Sequence, residues 1–169
     1  MCIGWAHVTC RRHTTTGHRA RHLLAAFILS ALLLSSVGGI AHAATYRHRL
    51  LRYINHARTR HDLHPVRVNL RLSTDALQHT RTMVRRNRLF DVRDLQAVLD
   101  PYSWRRVGAD AVGCAATLHR VHRRLMHHPP HRRIILDRRA RRVGLGVIKD
   151  HGKSLCGHRA VWVTEIFYG

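Results

Sequence analysis

An α+β fold, helices first and strands last, is the architecture this sequence predicts. Three observations lead to it. Apolar residues recur at helical spacing in the first half of the basic region, at Leu50, Leu51, Ile54 and Ala57 and again at Ala76, Leu77, Thr80, Met83 and Val84. Two β-rich runs, VGLGVIK (143–149) and AVWVTEIFY (160–168), close the chain. The segment joining them carries Asp150, Gly152, Ser154 and Gly157, which suits an antiparallel turn rather than a crossover helix.

The elements follow in order. The first stripe predicts a helix over 47–60, with arginines on its other face, ended by Leu63-His64-Pro65 because the residue before proline disfavours helix. A second helix is expected over 73–88, with Ser73 as N-cap and Asp75 in the first turn. Residues 91–99 suit a short helical turn broken by Asp100-Pro101, and 104–113 a short strand. A third helix over 117–127 places Leu118, Val121, Leu125 and Met126 inward, and Pro129-Pro130 stops it.

Ahead of these elements lies a segment of different character. Arg11, Arg12, Arg19 and Arg21 precede an uncharged run over 23–40, and Ala41-His42-Ala43 offers small residues for a cut before Ala44. This is the pattern of a secretion signal, with an uncut membrane anchor as the alternative. The predicted organisation is a signal peptide, 1–43, and one domain, 44–169, exported from the cytoplasm.

Residues 44–169 keep 26 of the 30 lysines and arginines and all 9 acids, a formal charge of +17. Such a surface attracts polyanions: lipid head groups, acidic wall polymers, nucleic acid. Arginine outnumbers lysine 28 to 2, as a GC-rich coding bias would also produce, and no aromatic platform interleaves with the arginines. Specific nucleic-acid recognition is therefore not expected. Of four cysteines, removal of the signal leaves Cys114 and Cys156. In an oxidising compartment a disulfide between them is expected, two buried free thiols being the alternative.

Chemistry-bearing motifs are sparse. There is no GxSxG, P-loop, CxxC or HExxH. His119 and His122, three apart on one helix face, could approach a three-ligand zinc site with His131, but Arg120, Arg123 and Arg124 beside them oppose a cation. No metal or other cofactor is expected.

Five segments in order nevertheless resemble one family. LLRYINHAR (50–58), DLHPVRVNLRLSTDALQHTRTMVRR (62–86), LMHHPPHRRIIL (125–136), RRVGLGVIKD (141–150) and VWVTEIFYG (161–169) are similar to the bacterial CAP superfamily, the SCP-like extracellular domains. The resemblance implies a CAP-type α-β-α sandwich, a small antiparallel sheet between helices with a cleft over one face. It also implies cleft histidines and a glutamate. His131 matches the histidine of the S-P-x-H-R segment. Asp91 stands where the first histidine is expected. Gly108-Ala109-Asp110 stands where G-E-N is expected, so alanine replaces the glutamate and Asp110 follows it.

The candidate cleft residues are thus His131, Asp110 and Asp91. The alternative for His131 is a helix-terminal residue bonded to nearby backbone, with Arg132 pairing Asp137 or a carbonyl. The expected protein is a secreted, monomeric, non-enzymatic binding module with a degenerate cleft, its ligand a lipid or an anionic wall polymer. The alternatives are a metal-dependent or His-assisted hydrolase of the same fold, and a cationic effector acting on membranes or polyanions by charge.

Overall fold

The computed structural model describes residues 37–169, with side chains from Thr45 onward. The export signal predicted over 1–43 lies largely outside these residues. The backbone of the first helix runs unbroken through 41–43. No helix among the described residues is long and apolar enough to cross a membrane. One compact unit spans Ala41–Gly169.

Helix α1 (Val37–Thr59) leads to a two-residue strand β1 (Arg67–Val68). Helix α2 (Leu70–Arg86) and the short α3 (Leu95–Leu99) follow. Strand β2 (Gly108–Ala115) precedes α4 (Leu118–His127) and α5 (Pro129–Ile135). Strand β3 (Arg142–Lys149), a hairpin of β4 (Lys153–Ser154) and β5 (Gly157–His158), and β6 (Val161–Tyr168) complete the chain.

The four-stranded sheet has the order β1-β3-β6-β2. Strand β6 is central and antiparallel to both β3 and β2, with Glu165 opposite Leu145 on one side and Ala111 on the other. Side chains alternate across a strand. Val161, Val163 and Phe167 join Leu50 and Ile54 of α1 and Val121 and Leu125 of α4 in one core. Trp162 and Ile166 point the opposite way, toward residues of α2 and α3. Helices cover both faces, and the fold is the α-β-α sandwich that the helix-first, strand-last order and the family resemblance imply.

Three local readings need correction. Helix α2 starts at Leu70, and its N-cap is Asn69, whose side chain accepts the Leu72 N–H. Ser73 is buried instead. Its hydroxyl donates to the Asn69 carbonyl and accepts the Leu145 N–H, tying α2 to the outer edge of β3. Pro129-Pro130 ends α4 but opens α5 one residue later, with His128 shared between the two helices; proline suits a first helical turn, where its missing N–H has no partner to lose. Arg58 does not join the solvated face of α1. It is fully buried, and its guanidinium donates to the carbonyls of His64, Ile135, Asp137 and Ala140 at 2.7–3.2 Å.

Glycines set the closeness of α2 to the sheet. A Cβ on Gly144 would strike Leu72, and one on Gly146 would strike the Ala76 carbonyl, so the helix backbone lies directly on β3.

Cys114 at the end of β2 is bonded to Cys156 in the β4–β5 hairpin, with Cα atoms 5.9 Å apart. The bond closes a loop of 42 residues, worth about 4 kcal/mol in the chain-entropy view. Replacing both cysteines with alanine is expected to lower unfolding free energy by about that amount in urea melts. A loss under about 1 kcal/mol would show that the hairpin is held by other means.

Candidate functional site

Two clefts stand out, one along β2 and one between helices. The first, about 520 Å³, lies along β2 and is floored by Val112, Gly113, Val121 and Leu125. Leu89, Leu155 and the disulfide form one wall, and Arg124, His128 and His131 carry its polar groups. Gly113 is there because α4 packs tightly: a Cβ would sit 3.2 Å from the Leu125 side chain. The His131 and His128 rings lie 4.6 Å apart, and burial, then His128, hold the His131 imidazole below its ordinary pKa, with Asp91 opposing.

Asp91 is the electrostatic hub near this cleft. Its charge raises the proton affinity of His131, of Asp110 and of His79. Asp110 is pushed up mainly by burial, while its bond from the Val92 N–H (3.0 Å) pulls the other way. That bond engages the Asp110 carboxylate in holding the 91–92 turn. His131 lines the cleft; Asp91 and Asp110 stand behind its rim, on the 91–92 turn and on β2.

His79 belongs with this group, and sequence reasoning missed it. Its Nδ1 lies 3.1 Å from the Thr164 hydroxyl, which also receives a hydrogen bond from Thr80 (2.8 Å). Its Nε2 is buried, its ring meets Phe90 edge-on, and burial lowers its pKa against the opposing pull of the Asp91 backbone and charge. The available signal was its spacing, three after Ala76 and four before Met83, both fully buried.

The second cleft, about 420 Å³, lies between α1 and α4, where Tyr53, His56, Arg60, His119 and His122 face one another. Tyr53 stacks on His122 and meets His119 edge-on, each at 5.8 Å between ring centroids. His122 is nine-tenths buried, its Nδ1 lacks a partner, and burial with the charges of His119 and His56 lowers its pKa to about 4. The three-histidine zinc set does not assemble: His119 and His122 line this cleft, while His131, on α5, lines the other. Among the described residues no group of three or more His, Cys, Asp or Glu is arranged to hold a metal ion. Arg132 reaches His61 (2.7 Å), and Asp137 pairs with Arg139 instead.

Ala109 stands where the family resemblance places a glutamate, and Thr164, the hydroxyl bonded to His79, is fully buried. The fold and its cleft define a disulfide-tied α+β domain of the SCP type. The chain belongs to the CAP family, described as the cysteine-rich secretory protein family, which matches residues 51–167.

Solved structures agree on the fold. An extracellular protein containing an SCP domain from Bacillus anthracis is similar at a TM-score of 0.59 and 15% identity, over 75% of this chain and 41% of that one. A cysteine-rich secretory protein from Staphylococcus aureus is similar at 0.57 and 19%, over 75% and 38%. An outer surface protein from Borrelia burgdorferi is similar at 0.56 and 10%, over 74% and 94%. The chain thus spans well under half the length of the first two. No curated protein matches it.

Proposed function

We propose that this CAP domain is exported and works outside the cytoplasm as a non-enzymatic binding module, through the cleft along β2. One observation carries the reading: the cleft keeps an apolar floor with one arginine, Arg124, at its rim, while alanine stands at the position where the resemblance places a glutamate and Asp110 is engaged by the Val92 N–H. A site with shape and charge but no acid–base pair or reachable nucleophile suits holding a ligand better than transforming it. The export-signal pattern, the disulfide and the extracellular or surface character of the similar proteins support the location. The ligand class the surface favours is an anionic component of the cell envelope.

The test is retention on isolated cell-wall sacculi at near-physiological salt. Purified protein is expected to be retained, and the double variant Arg124→Gln, Leu155→Ala to lose at least tenfold. Arg81→Gln with Arg85→Gln, exposed on α2 and outside the cleft lining, removes two charges rather than one and is expected to lose less than twofold. Equal losses in both variants, vanishing as salt rises, would assign binding to overall charge and sink the cleft reading.

A further inference from the structure

The sheet order leaves β2 with no strand on its outer side. Val107 and Gly169 exchange both backbone hydrogen bonds, which sets the phase of the β2–β6 ladder. Alternate residues of an antiparallel strand turn N–H and C=O to opposite sides. Ala109, Ala111, Gly113 and Ala115 therefore bond to β6, while Asp110, Val112 and Cys114 face outward. At Asp110 the 91–92 turn closes over the edge through the Val92 N–H. At Cys114 the carbonyl is taken by the Arg124 guanidinium at 3.1 Å. The main-chain N–H and C=O of Val112 have no partner on that side among the described residues, and the residue, 7% exposed, lines the 520 Å³ cleft.

We propose that an extended peptide segment carrying a carboxylate docks in this cleft by adding one rung to the free edge of β2 at Val112. The Val112 N–H donates to a peptide carbonyl, and the Val112 carbonyl accepts a peptide N–H. This is strand addition in its shortest form, where main-chain bonds give affinity and side-chain pockets give choice. An apolar side chain of the ligand faces Val121 and Leu125, with Leu155, 51% exposed, beside it on the cleft wall. The ligand's carboxylate faces Arg124, His128 and His131. No acidic side chain lines the cleft itself, and the Asp91 charge behind its rim acts on His131 rather than on Arg124. Charge-assisted bonds to an arginine are among the stronger polar contacts available.

The inference rests on the cleft being the binding site. Its probe is N-acetyl-Val-Val-Glu, titrated into the full protein by calorimetry and followed by amide chemical shifts. Binding is expected, with the Val112 and Cys114 amides among those that move. N-methylating the one peptide amide that pairs with Val112 is expected to weaken binding at least tenfold, and methylating its neighbour far less. The uncharged N-acetyl-Val-Val-Gln amide is expected to bind at least fivefold more weakly. Arg124→Lys should recover part of the affinity that Arg124→Gln loses. Absence of binding, equal binding by every N-methylated peptide, or shifts confined to the α1–α4 cleft would each overturn strand addition. If the sacculus experiment still depends on Arg124 and Leu155 while the peptide fails, the cleft remains a binding site for another ligand. If retention ignores both residues, the cleft reading itself falls.

Discussion

Arg58→Met is expected to destabilise the protein by about 3–5 kcal/mol, the largest single-residue effect in the fold. Methionine keeps the apolar stem and fills much of the space. It removes the donors that satisfy four carbonyls, those of His64, Ile135, Asp137 and Ala140. These carbonyls come from the turn after α1, the end of α5 and the approach to β3, so one planar group joins three parts of the chain. Each buried acceptor left without a partner costs about 1–3 kcal/mol, offset where water can enter. Arg58→Lys should recover less than half of the loss, because a single ammonium cannot span a fork of acceptors. Urea unfolding of the three proteins measures this. A loss below about 1 kcal/mol for methionine would mean that the carbonyls find other donors.

The second large effect is a stability that falls as pH rises from about 6.5 to 8. Glu165 sits in the middle of the central strand, fully buried, with neither carboxylate oxygen hydrogen-bonded. Burial raises its pKa from 4.5 to about 8. The unfolded chain ionises this group near 4.5, whereas the folded chain resists until about 8, so between those values the native state holds the extra proton. Stability then declines with rising pH through that window, by about 1.4 kcal/mol per unit where nothing opposes it. His122 acts in the opposite direction. Its pKa is lowered from 6.5 to about 4, so stability is lost as pH falls through that range.

The two slopes oppose each other between about 4.5 and 6.5, which gives a plateau at mildly acidic pH. From pH 6.5 to 8 the Glu165 slope stands alone of the two, and a loss of about 2 kcal/mol is expected. Glu165→Gln should flatten that limb, because the amide does not titrate. Melting temperatures at matched ionic strength across about pH 4–9 follow both. A wild-type protein whose stability is level or rises between about pH 6.5 and 8 would contradict the assignment.

The order of elements and the pairing of the last two strands were legible in the sequence, because periodicity and turn residues report them directly. The two groups behind the largest expected effects were not. Arg58 lies four residues after Ile54 and eight after Leu50, on the stripe itself, yet charge alone argued for solvent. Only the later carbonyls, up to 82 residues away, make its burial tolerable. Glu165 is the single acid in VWVTEIFY, and period two places it with Val161, Val163 and Phe167. A pattern can say which face such a residue takes, but not that the face has no water.

The same limit governs the candidate site. His131, Asp91 and Asp110 could be named from the resemblance, since they occupy aligned positions. The engagement of Asp110 by the Val92 N–H, the place of His79 beside Thr164, and the parting of His119 and His122 from His131 depend on how the helices seat on the sheet. The seating depends in turn on glycines at 113, 144 and 146, which let backbones approach.

Ser73 gives this sheet a further property. By accepting the Leu145 N–H, it seals the outer side of β3 beyond the short β1, and α2 lies along that border. Leu145 therefore offers no N–H to a further strand beyond β1, and an added strand cannot run on along β3 from that side. Unpaired strand borders are where chains join edge to edge, and this contact shortens the one that β3 presents.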